Sequence, residues 1–94
     1  MKKSLYAVVS GRVQGVGFRY FIYRKAKNLN VLGWVRNRPD GKVEALIEGE
    51  EVDLEKMLFE LRQGPSGSRV DKCELVWKPY AQSVTSFTSF KVMH

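Results

Sequence analysis

In the first half of the chain, apolar residues occur either in short runs or at helical spacing. The first pattern indicates a strand and the second a helix. An apolar run over residues 4–10 predicts a strand, and apolar residues at helical spacing predict a helix over residues 18–28. Two further strands are predicted at residues 33–38 and 42–48. The turn signal Pro39-Asp40-Gly41 lies between them, so we expect these strands to form a hairpin.

The second half of the chain adds one helix and two strands. Helical spacing covers residues 51–63, and strands are predicted at residues 70–77 and 86–93, joined by a polar connection over residues 78–85. The order β-α-β-β-α-β with a further terminal strand predicts an α+β fold, a ferredoxin-like two-layer sandwich. Two helices then cover one face of a mixed, mostly antiparallel sheet, and we expect the other face to be open to water.

The apolar faces of the two helices supply the predicted core. They carry Phe18, Phe21, Ile22, Ala26 and Leu29 on the first helix, and Leu54, Met57, Leu58 and Leu61 on the second. A partner surface is the alternative interpretation of the second stripe, and we favour the core.

Length and composition predict one domain over residues 1–94. The chain is 44% hydrophobic without a long apolar run, so we expect no transmembrane helix, no membrane binding and no signal peptide. The single cysteine, Cys73, cannot form an internal disulfide, which fits a reducing, cytoplasmic location. The only histidine, His94, is expected to fray, and we therefore predict neither a metal site nor a histidine-based catalytic triad.

The net charge of +6 is unevenly distributed. Residues 1–42 hold ten Lys and Arg and one acid, whereas residues 43–94 hold six Lys and Arg and nine acids. A positive field around the first half would speed the encounter with an anionic ligand. The same asymmetry also fits a nucleic-acid footprint or charge that only keeps the protein soluble.

A glycine-rich segment between the first strand and the first helix is the first candidate site. It reads SGRVQGVGFR and contains Gly11, Gly15 and Gly17. Glycine permits positive φ and a close approach of a ligand to peptide N–H groups, which can converge on an anion. A helix starting at Phe18 would direct its free amides and the positive end of its dipole to the same place. Arg19 could then close over the anion with two parallel hydrogen bonds, so the segment predicts an oxyanion site.

A plainer interpretation of this segment stays open. Glycine-rich strand-to-helix turns are common, and an arginine in a first turn is usually a solvated surface residue. The segment is not a P-loop, because no Gly-Lys-Ser/Thr follows, and its glycine spacing differs from the dinucleotide fingerprint.

Asn37 is the second candidate. Alternation along GWVRNR puts it on the face of Val35, so its amide lies at the rim of the core and needs hydrogen-bond partners there. An amide donates and accepts at once, and could hold a water against a bound phosphate. The alternative is an asparagine that only stabilises the following turn.

Three segments together resemble the acylphosphatase family, over the range from Leu5 to Val92. They are VSGRVQGVGFRYF, LGWVRNRPDGKVEALIEGE and GPSGSRVDKCEL. The family has the ferredoxin-like sandwich, hydrolyses the carboxyl-phosphate bond of acyl phosphates, and uses no cofactor or metal. The resemblance implies a hydrolase of a small-molecule acyl phosphate, with inorganic phosphate or sulfate bound as product or inhibitor.

The resemblance also implies roles for individual residues. Arg19 matches the arginine that binds the substrate phosphate, and Asn37 matches the residue that orients the attacking water. The implied phosphate-binding loop is Gly11, Arg12, Val13, Gln14, Gly15, Val16 and Gly17. Our hypothesis is in-line attack of water on phosphorus, in which the substrate's own phosphate takes the proton. The leaving carboxylate is stable, so no strong general acid is required.

Two other function classes were weighed. An RNA-binding module has the same element order, with Trp34 on the open face, but the third strand has no aromatic residue. Glu44 and Glu48 would also repel a phosphate backbone there, so we predict no nucleic-acid partner. The second class is a regulatory or carrier domain, or a domain detached from a larger enzyme. The short tail after the last strand, together with both candidate catalytic residues, favours a free-standing enzyme, which we expect to be a monomer.

Overall fold

Two helices lie on one face of a five-stranded sheet in the computed structural model, which describes residues 1–80 and 87–94. The strands are β1 (Lys2–Arg12), β2 (Leu32–Asn37), β3 (Val43–Glu50), β4 (Arg69–Pro79) and β5 (Phe90–Met93). The helices are α1 (Phe18–Leu29) and α2 (Glu51–Gln63). The predicted ferredoxin-like sandwich is confirmed.

The strand order decides which chain segments meet. The sheet runs β4-β1-β3-β2-β5, with every pair antiparallel except β2 and β5, which are parallel. Because β1 and β2 both run antiparallel to β3, they point the same way, and β5 follows β2. The end of β1 at Arg12, the end of β2 at Asn37 and the end of β5 at Met93 therefore lie at one edge of the molecule.

Three strands differ most in length from the sequence prediction, and two of them are longer for a shared reason. β1 and β4 are each longer than predicted because they pair with one another from Lys3↔Pro79 to Arg12↔Arg69. β5 is shorter and begins only at Phe90. Its predicted start at residue 86, and residues 81–85 of the predicted connection, lie outside the described residues.

The core lies between the helices and the sheet, as the two apolar stripes predict. α2 buries all four of its predicted residues, whereas α1 buries Phe18, Ile22 and Ala26 and leaves Phe21 and Leu29 partly exposed. A fully buried Leu or Ile contributes roughly 1.5–3 kcal/mol relative to an exposed one. Within the part of the chain that the structure describes, neither helix has the length and apolarity needed to cross a membrane.

The opposite face of the sheet is less open than we expected. Glu44 and Glu48 of β3 project from it, yet they are only 6% and 4% exposed, and Ser4 of β1 is 3% exposed. Ser4 Oγ donates a hydrogen bond to Glu48 Oε2 at 2.8 Å. Side chains of neighbouring strands cover the centre of this face, so the expectation of an open, hydrated surface is wrong there.

Candidate functional site

The connection between β1 and α1 is shorter than the predicted loop. Gly11 and Arg12 belong to β1, where they are paired with β4. Residues 13–17 form the connection itself, which we call the cradle loop. The Val13 side chain is only 1% exposed and anchors this loop in the core.

The N-terminus of α1 is left without a protein cap. Its N-cap, Gly17, has φ 77° and ψ 22°, provides no side-chain cap, and no acidic residue lies in the first turn. The Phe21 N–H donates to the Gly17 carbonyl at 3.0 Å. Among the described residues, the amides of residues 13–20 donate to no other protein atom. These donors and the positive end of the helix dipole are therefore available to an anion.

The Arg19 guanidinium is held by the end of β5. Its Nη1 donates a hydrogen bond to the Met93 carbonyl at 3.0 Å and lies 3.3 Å from Nδ1 of His94. Arg19 forms no ion pair with a described residue, so no carboxylate neutralises its charge. A positively charged fork is thus fixed beside the uncapped helix end, which is the arrangement that favours phosphate.

The structure gives His94 a place at the candidate site that the sequence did not predict. The imidazole lines the same cavity as Arg19 and Asn37. The parallel pairing of β5 with β2, in which Val92 lies opposite Val35, carries the end of the chain to the Asn37 end of the sheet. No periodicity in the sequence reveals that pairing, so the histidine could not be assigned from sequence.

Asn37 presents a buried, unsatisfied acceptor at the end of β2. Its Oδ1 atom accepts no hydrogen bond from any described residue, although buried polar atoms normally have a partner. The turn after it is held by other groups: the Arg38 N–H donates to the Lys42 carbonyl at 2.8 Å, and the Gly41 N–H donates to the Arg38 carbonyl at 3.1 Å. The Asn37 side chain therefore does not stabilise the turn by a hydrogen bond, which was the alternative interpretation of this residue.

Gln14 has a bracing role that the sequence did not reveal. Its Nε2 donates to the carbonyls of Arg38 at 2.8 Å and Lys42 at 2.9 Å. Both carbonyls belong to the turn that follows Asn37, so one side chain ties the cradle loop to that turn. The only sequence signal was a carboxamide in a glycine-rich loop, which specifies two donors but not their acceptors.

One cavity of about 640 Å³ collects most of the candidate groups. Of the residues singled out in the sequence, it is lined by Val13, Gly15, Gly17, Arg19 and Asn37. The other members of the predicted loop, Gly11, Arg12, Gln14 and Val16, do not line it. The cavity thus has free amide donors, one guanidinium and one unsatisfied amide oxygen, a combination that can hold a tetrahedral anion and a water beside it.

The chain is similar to known proteins over most of its length. The acylphosphatase family model matches residues 5–90. An acylphosphatase of Acaryochloris marina is 43% identical over 89 residues, which are 95% of this chain and 91% of that protein. The crystal structure of acylphosphatase from Bacillus subtilis superposes with a TM-score of 0.89 at 35% identity and covers 100% of both chains.

The chain belongs to the acylphosphatase family. The resemblance seen in the sequence is therefore confirmed, and the chain is a hydrolase of that family. The acylphosphatase fold also matches part of a larger protein. Full-length HypF in its phosphate- and nucleotide-bound form superposes with a TM-score of 0.84 at 28% identity, and the match covers 12% of that chain.

In this member of the acylphosphatase family, a buried carboxylate pairs with two arginines near the end of β2. Glu44 accepts hydrogen bonds from Tyr6 Oη and Arg36 Nε, and its Oε2 lies 4.0 Å from Arg38 Nη1. Burial alone would raise the pKa of Glu44, but the bonds from Tyr6 and Arg36 outweigh it and lower that pKa. The bond to Glu44 raises the pKa of Tyr6. Neither arginine lines the cavity.

Carboxylates and thiols do not gather at the acylphosphatase site. In residues 1–80 and 87–94, no three side chains of His, Cys, Asp or Glu lie together in a way that could hold a metal ion. Cys73 lies half-buried in β4, and burial raises the pKa of its thiol. The polar side chains that line the cavity belong to Arg19, Tyr20, Tyr23, Asn37, Lys91 and His94.

Proposed function

We propose that this chain hydrolyses small-molecule acyl phosphates to a carboxylate and inorganic phosphate. The observation that carries the proposal is the shared cavity, which is lined both by an arginine without a carboxylate partner and by Asn37, whose buried Oδ1 atom has no hydrogen-bond partner. An acyl phosphate is an anion whose leaving group is already a stable carboxylate. Positioning and charge stabilisation are then the main requirements for catalysis.

The phosphate is bound at the uncapped end of α1. Its oxygens accept hydrogen bonds from amides of the cradle loop and of the first helical turn, and from the Arg19 guanidinium. We give Gly11 and Arg12 a smaller part than the sequence predicts, because both residues lie in β1 in register with β4. The donors are preorganised, so charge that develops on the equatorial oxygens is stabilised without rearrangement.

The attacking water is held by Asn37. Its Oδ1 accepts a hydrogen bond from the water, which fixes the oxygen for in-line attack on phosphorus. The new bond joins the water oxygen to phosphorus, and the bond from phosphorus to the acyl oxygen breaks, with its electron pair leaving on the carboxylate. The proton of the water passes to an oxygen of the phosphate itself.

The first experiment measures release of inorganic phosphate from acetyl phosphate by the pure protein in the presence of a chelator. We expect turnover, and we expect Asn37→Ala to lower kcat about 10²–10³-fold, as loss of a preorganised group does. Asn28→Ala is the matched control, since Asn28 is exposed on α1 away from the cavity. Near-native turnover by Asn37→Ala would overturn the role of this residue.

His94 defines a competing mechanism that the same assay separates. An imidazole in the cavity could act as a general base, and then His94→Ala would lose as much activity as Asn37→Ala. We propose that it does not act so, because its Nδ1 is already engaged with Arg19. His94→Ala should therefore retain at least about a tenth of the turnover, a much smaller loss than the range given for a preorganised donor.

The remaining properties are proposals of the same kind. We propose a cytoplasmic monomer without a cofactor, inhibited by inorganic phosphate or sulfate, with no nucleic-acid or membrane partner. Pairing of Glu44 with Arg36 and Arg38 supports the exclusion of nucleic acid, because it offsets positive charge on that face. Light scattering coupled to size-exclusion chromatography tests the monomer, and a dimer would contradict it.

A further inference from the structure

The cavity extends beyond the groups assigned to phosphate. Asn37 and His94 stand at one end, which also borders a second, polar cavity. Tyr23 and Phe90 stand at the other end, where they border a third cavity near the end of α1. Phe90 and His94 are four residues apart, which is about 13 Å in an extended chain. A cavity that reaches from one to the other is longer than a phosphate group.

The far end of the cavity has an aromatic wall. Tyr20 and Tyr23, one turn apart on α1, both line it, with ring centroids 6.0 Å apart and an angle of 28° between the rings. Tyr20 is 60% exposed, so core packing does not account for its ring. The Arg24 guanidinium and the Lys27 ammonium lie 5.8 and 5.4 Å from the centroids of the Tyr20 and Tyr23 rings. The aromatic carbon that stays exposed beside a polar anion site suits the non-reacting part of a ligand.

The floor beneath this wall is also apolar. Phe90 and Val92 alternate with Lys91 along β5, and they project to the helix-covered side of the sheet. Lys91 pairs in register with Trp34 on the opposite side. Among the described residues, no Asp or Glu side chain lines the cavity, whereas Lys91 does. The wall and floor thus offer apolar contact and no counterion for a cationic acyl group.

We propose that the acyl group of the substrate lies on the acyl shelf, formed by Tyr20 and Tyr23 above Phe90 and Val92. The enzyme then favours acyl phosphates with an aromatic or large apolar acyl group over acetyl phosphate. This inference rests on the proposed function, since the phosphate end fixes where the acyl group emerges. Contact with a part of the substrate that does not react stabilises the bound and transition states alike, so the preference lies mainly in KM.

The test compares benzoyl phosphate with acetyl phosphate as substrates of the wild type and of Tyr20→Ala. The two compounds differ in intrinsic reactivity, so the informative quantity is the change in the ratio of their kcat/KM values. We expect Tyr20→Ala to lower this ratio roughly 3–10-fold through the KM for benzoyl phosphate, in the range of one lost apolar contact. Tyr20→Phe should preserve the ratio, and so should Phe59→Ala, which removes an exposed aromatic ring from α2.

Inhibition by inorganic phosphate is measured on the same variants and should not change, since the phosphate end is intact. A ratio unaltered by both Tyr20→Ala and Tyr23→Ala would overturn the acyl shelf. An equal loss of kcat/KM on both substrates leaves the ratio unaltered and would have the same meaning. If the wild type hydrolyses neither compound, the proposed function itself fails, and the two failures are thereby distinguished.

Binding of inert analogues tests the acyl shelf without turnover. Benzylphosphonate should bind more tightly than methylphosphonate to the wild type in calorimetry, and Tyr20→Ala should remove most of that difference. Equal affinity of the wild type for the two phosphonates would overturn the proposal.

Discussion

The cradle loop and the loop between α2 and β4 have similar glycine content and opposite character. Both contain glycines in the left-handed region: Gly15 and Gly17 at φ 74° and 77°, and Gly64 and Gly67 at 70° and 87°. Each is also followed closely by an arginine, Arg19 in the first case and Arg69 in the second. The two loops nevertheless leave their polar groups in different states.

In the α2–β4 loop, Gly64, Ser68 and Arg69 have hydrogen-bond partners within the chain. The Gly64 N–H donates to the Glu60 carbonyl at 2.9 Å, and the N–H and hydroxyl of Ser68 donate to the Pro65 carbonyl at 3.1 and 2.6 Å. Arg69 is paired with Asp71 through two hydrogen bonds of 2.8 and 3.2 Å. Ser68 and Arg69 have partners within this part of the chain, so neither side chain is available to an anion as Arg19 is.

The difference follows from which end of a helix each loop joins. The cradle loop precedes α1 and meets free N–H groups at the positive end of a dipole, whereas the α2–β4 loop follows α2 and meets carbonyls at the negative end. Glycine content therefore does not identify an anion site. An anion site is identified by N–H donors without acceptors and by an arginine without a carboxylate partner.

The largest expected difference between the loops concerns their arginines. Arg19→Ala removes the guanidinium from the cavity and should lower kcat/KM for acetyl phosphate by about 10²–10³-fold or more. Arg69→Ala breaks only an exposed ion pair and should change kcat/KM less than about twofold, in line with the small worth of such pairs. Similar losses of kcat/KM in Arg19→Ala and Arg69→Ala would contradict this difference between the two loops.

The glycines provide a second matched pair. An added Cβ meets no atom within 4 Å at Gly15 or at Gly67, so alanine at either place is disfavoured by φ alone. Both Gly15→Ala and Gly67→Ala should lose about 1–2 kcal/mol of unfolding free energy in urea titrations. Only Gly15→Ala should also lose activity, because the backbone that it shifts lines the cavity. Full activity of Gly15→Ala at unchanged stability would contradict the account.

The side chains that brace the two loops give a third pair. Gln14→Ala and Ser68→Ala each remove hydrogen bonds to backbone carbonyls, at a cost of about 1 kcal/mol per bond in unfolding free energy. Gln14→Ala should in addition lower kcat and weaken inhibition by phosphate, because the cradle loop loses its tie to the turn after Asn37. Steady-state kinetics with inorganic phosphate as inhibitor measures both effects. An unaltered kcat of Gln14→Ala would contradict the bracing role of Gln14.

The smallest expected effects are on stability as a function of pH. The pKa values of Glu44 and Asp71 are both lowered in the folded state, Glu44 by bonds from Tyr6 and Arg36 that outweigh its burial, and Asp71 by its bond from Arg69. A lowered folded pKa stabilises the protein above the pH where unfolded carboxylates titrate, about pH 4, and this contribution is lost as pH falls.

Urea midpoints measured at pH 7 and pH 3 separate the two carboxylates. Glu44→Gln should lower the midpoint at pH 7 and lie closer to the wild type at pH 3, because the stability that the lowered pKa of Glu44 gives the wild type is lost as pH falls. Asp71→Asn should differ little from the wild type at either pH, since its partner is exposed and solvent screens the pair. A larger effect for Asp71→Asn than for Glu44→Gln would be contrary to this account.

Features set by neighbouring residues were predictable from the sequence. The bounds of α2 were predicted correctly because an apolar stripe, acids in the first turn and Gly64 at its end all agree. α1 begins at Phe18, as predicted, because Gly17 takes the left-handed N-cap conformation. Both candidate catalytic residues could be singled out because each stands in a motif with a physical reason to bind phosphate or water.

Features set by pairing between distant segments were not predictable. His94 reaches the cavity only because β5 lies parallel to β2, and Gln14 finds its acceptors only because the hairpin turn lies beside the cradle loop. Burial of Glu44 likewise depends on partners from two other strands, Tyr6 of β1 and Arg36 of β2. Hydrophobic periodicity reports which face of an element is covered, but not which strand lies next to it.

The most direct test of the central claim is a titration of the protein with inorganic phosphate, followed by backbone amide resonances in NMR. Anion binding by free amides predicts the largest shifts at residues 13–20 and at the Asn37 side-chain amide, with little change at residues 64–69. The shifts should disappear in Arg19→Ala. Equal shifts in both loops, or none at residues 13–20, would contradict the claim that unpartnered amides and one arginine form the phosphate site.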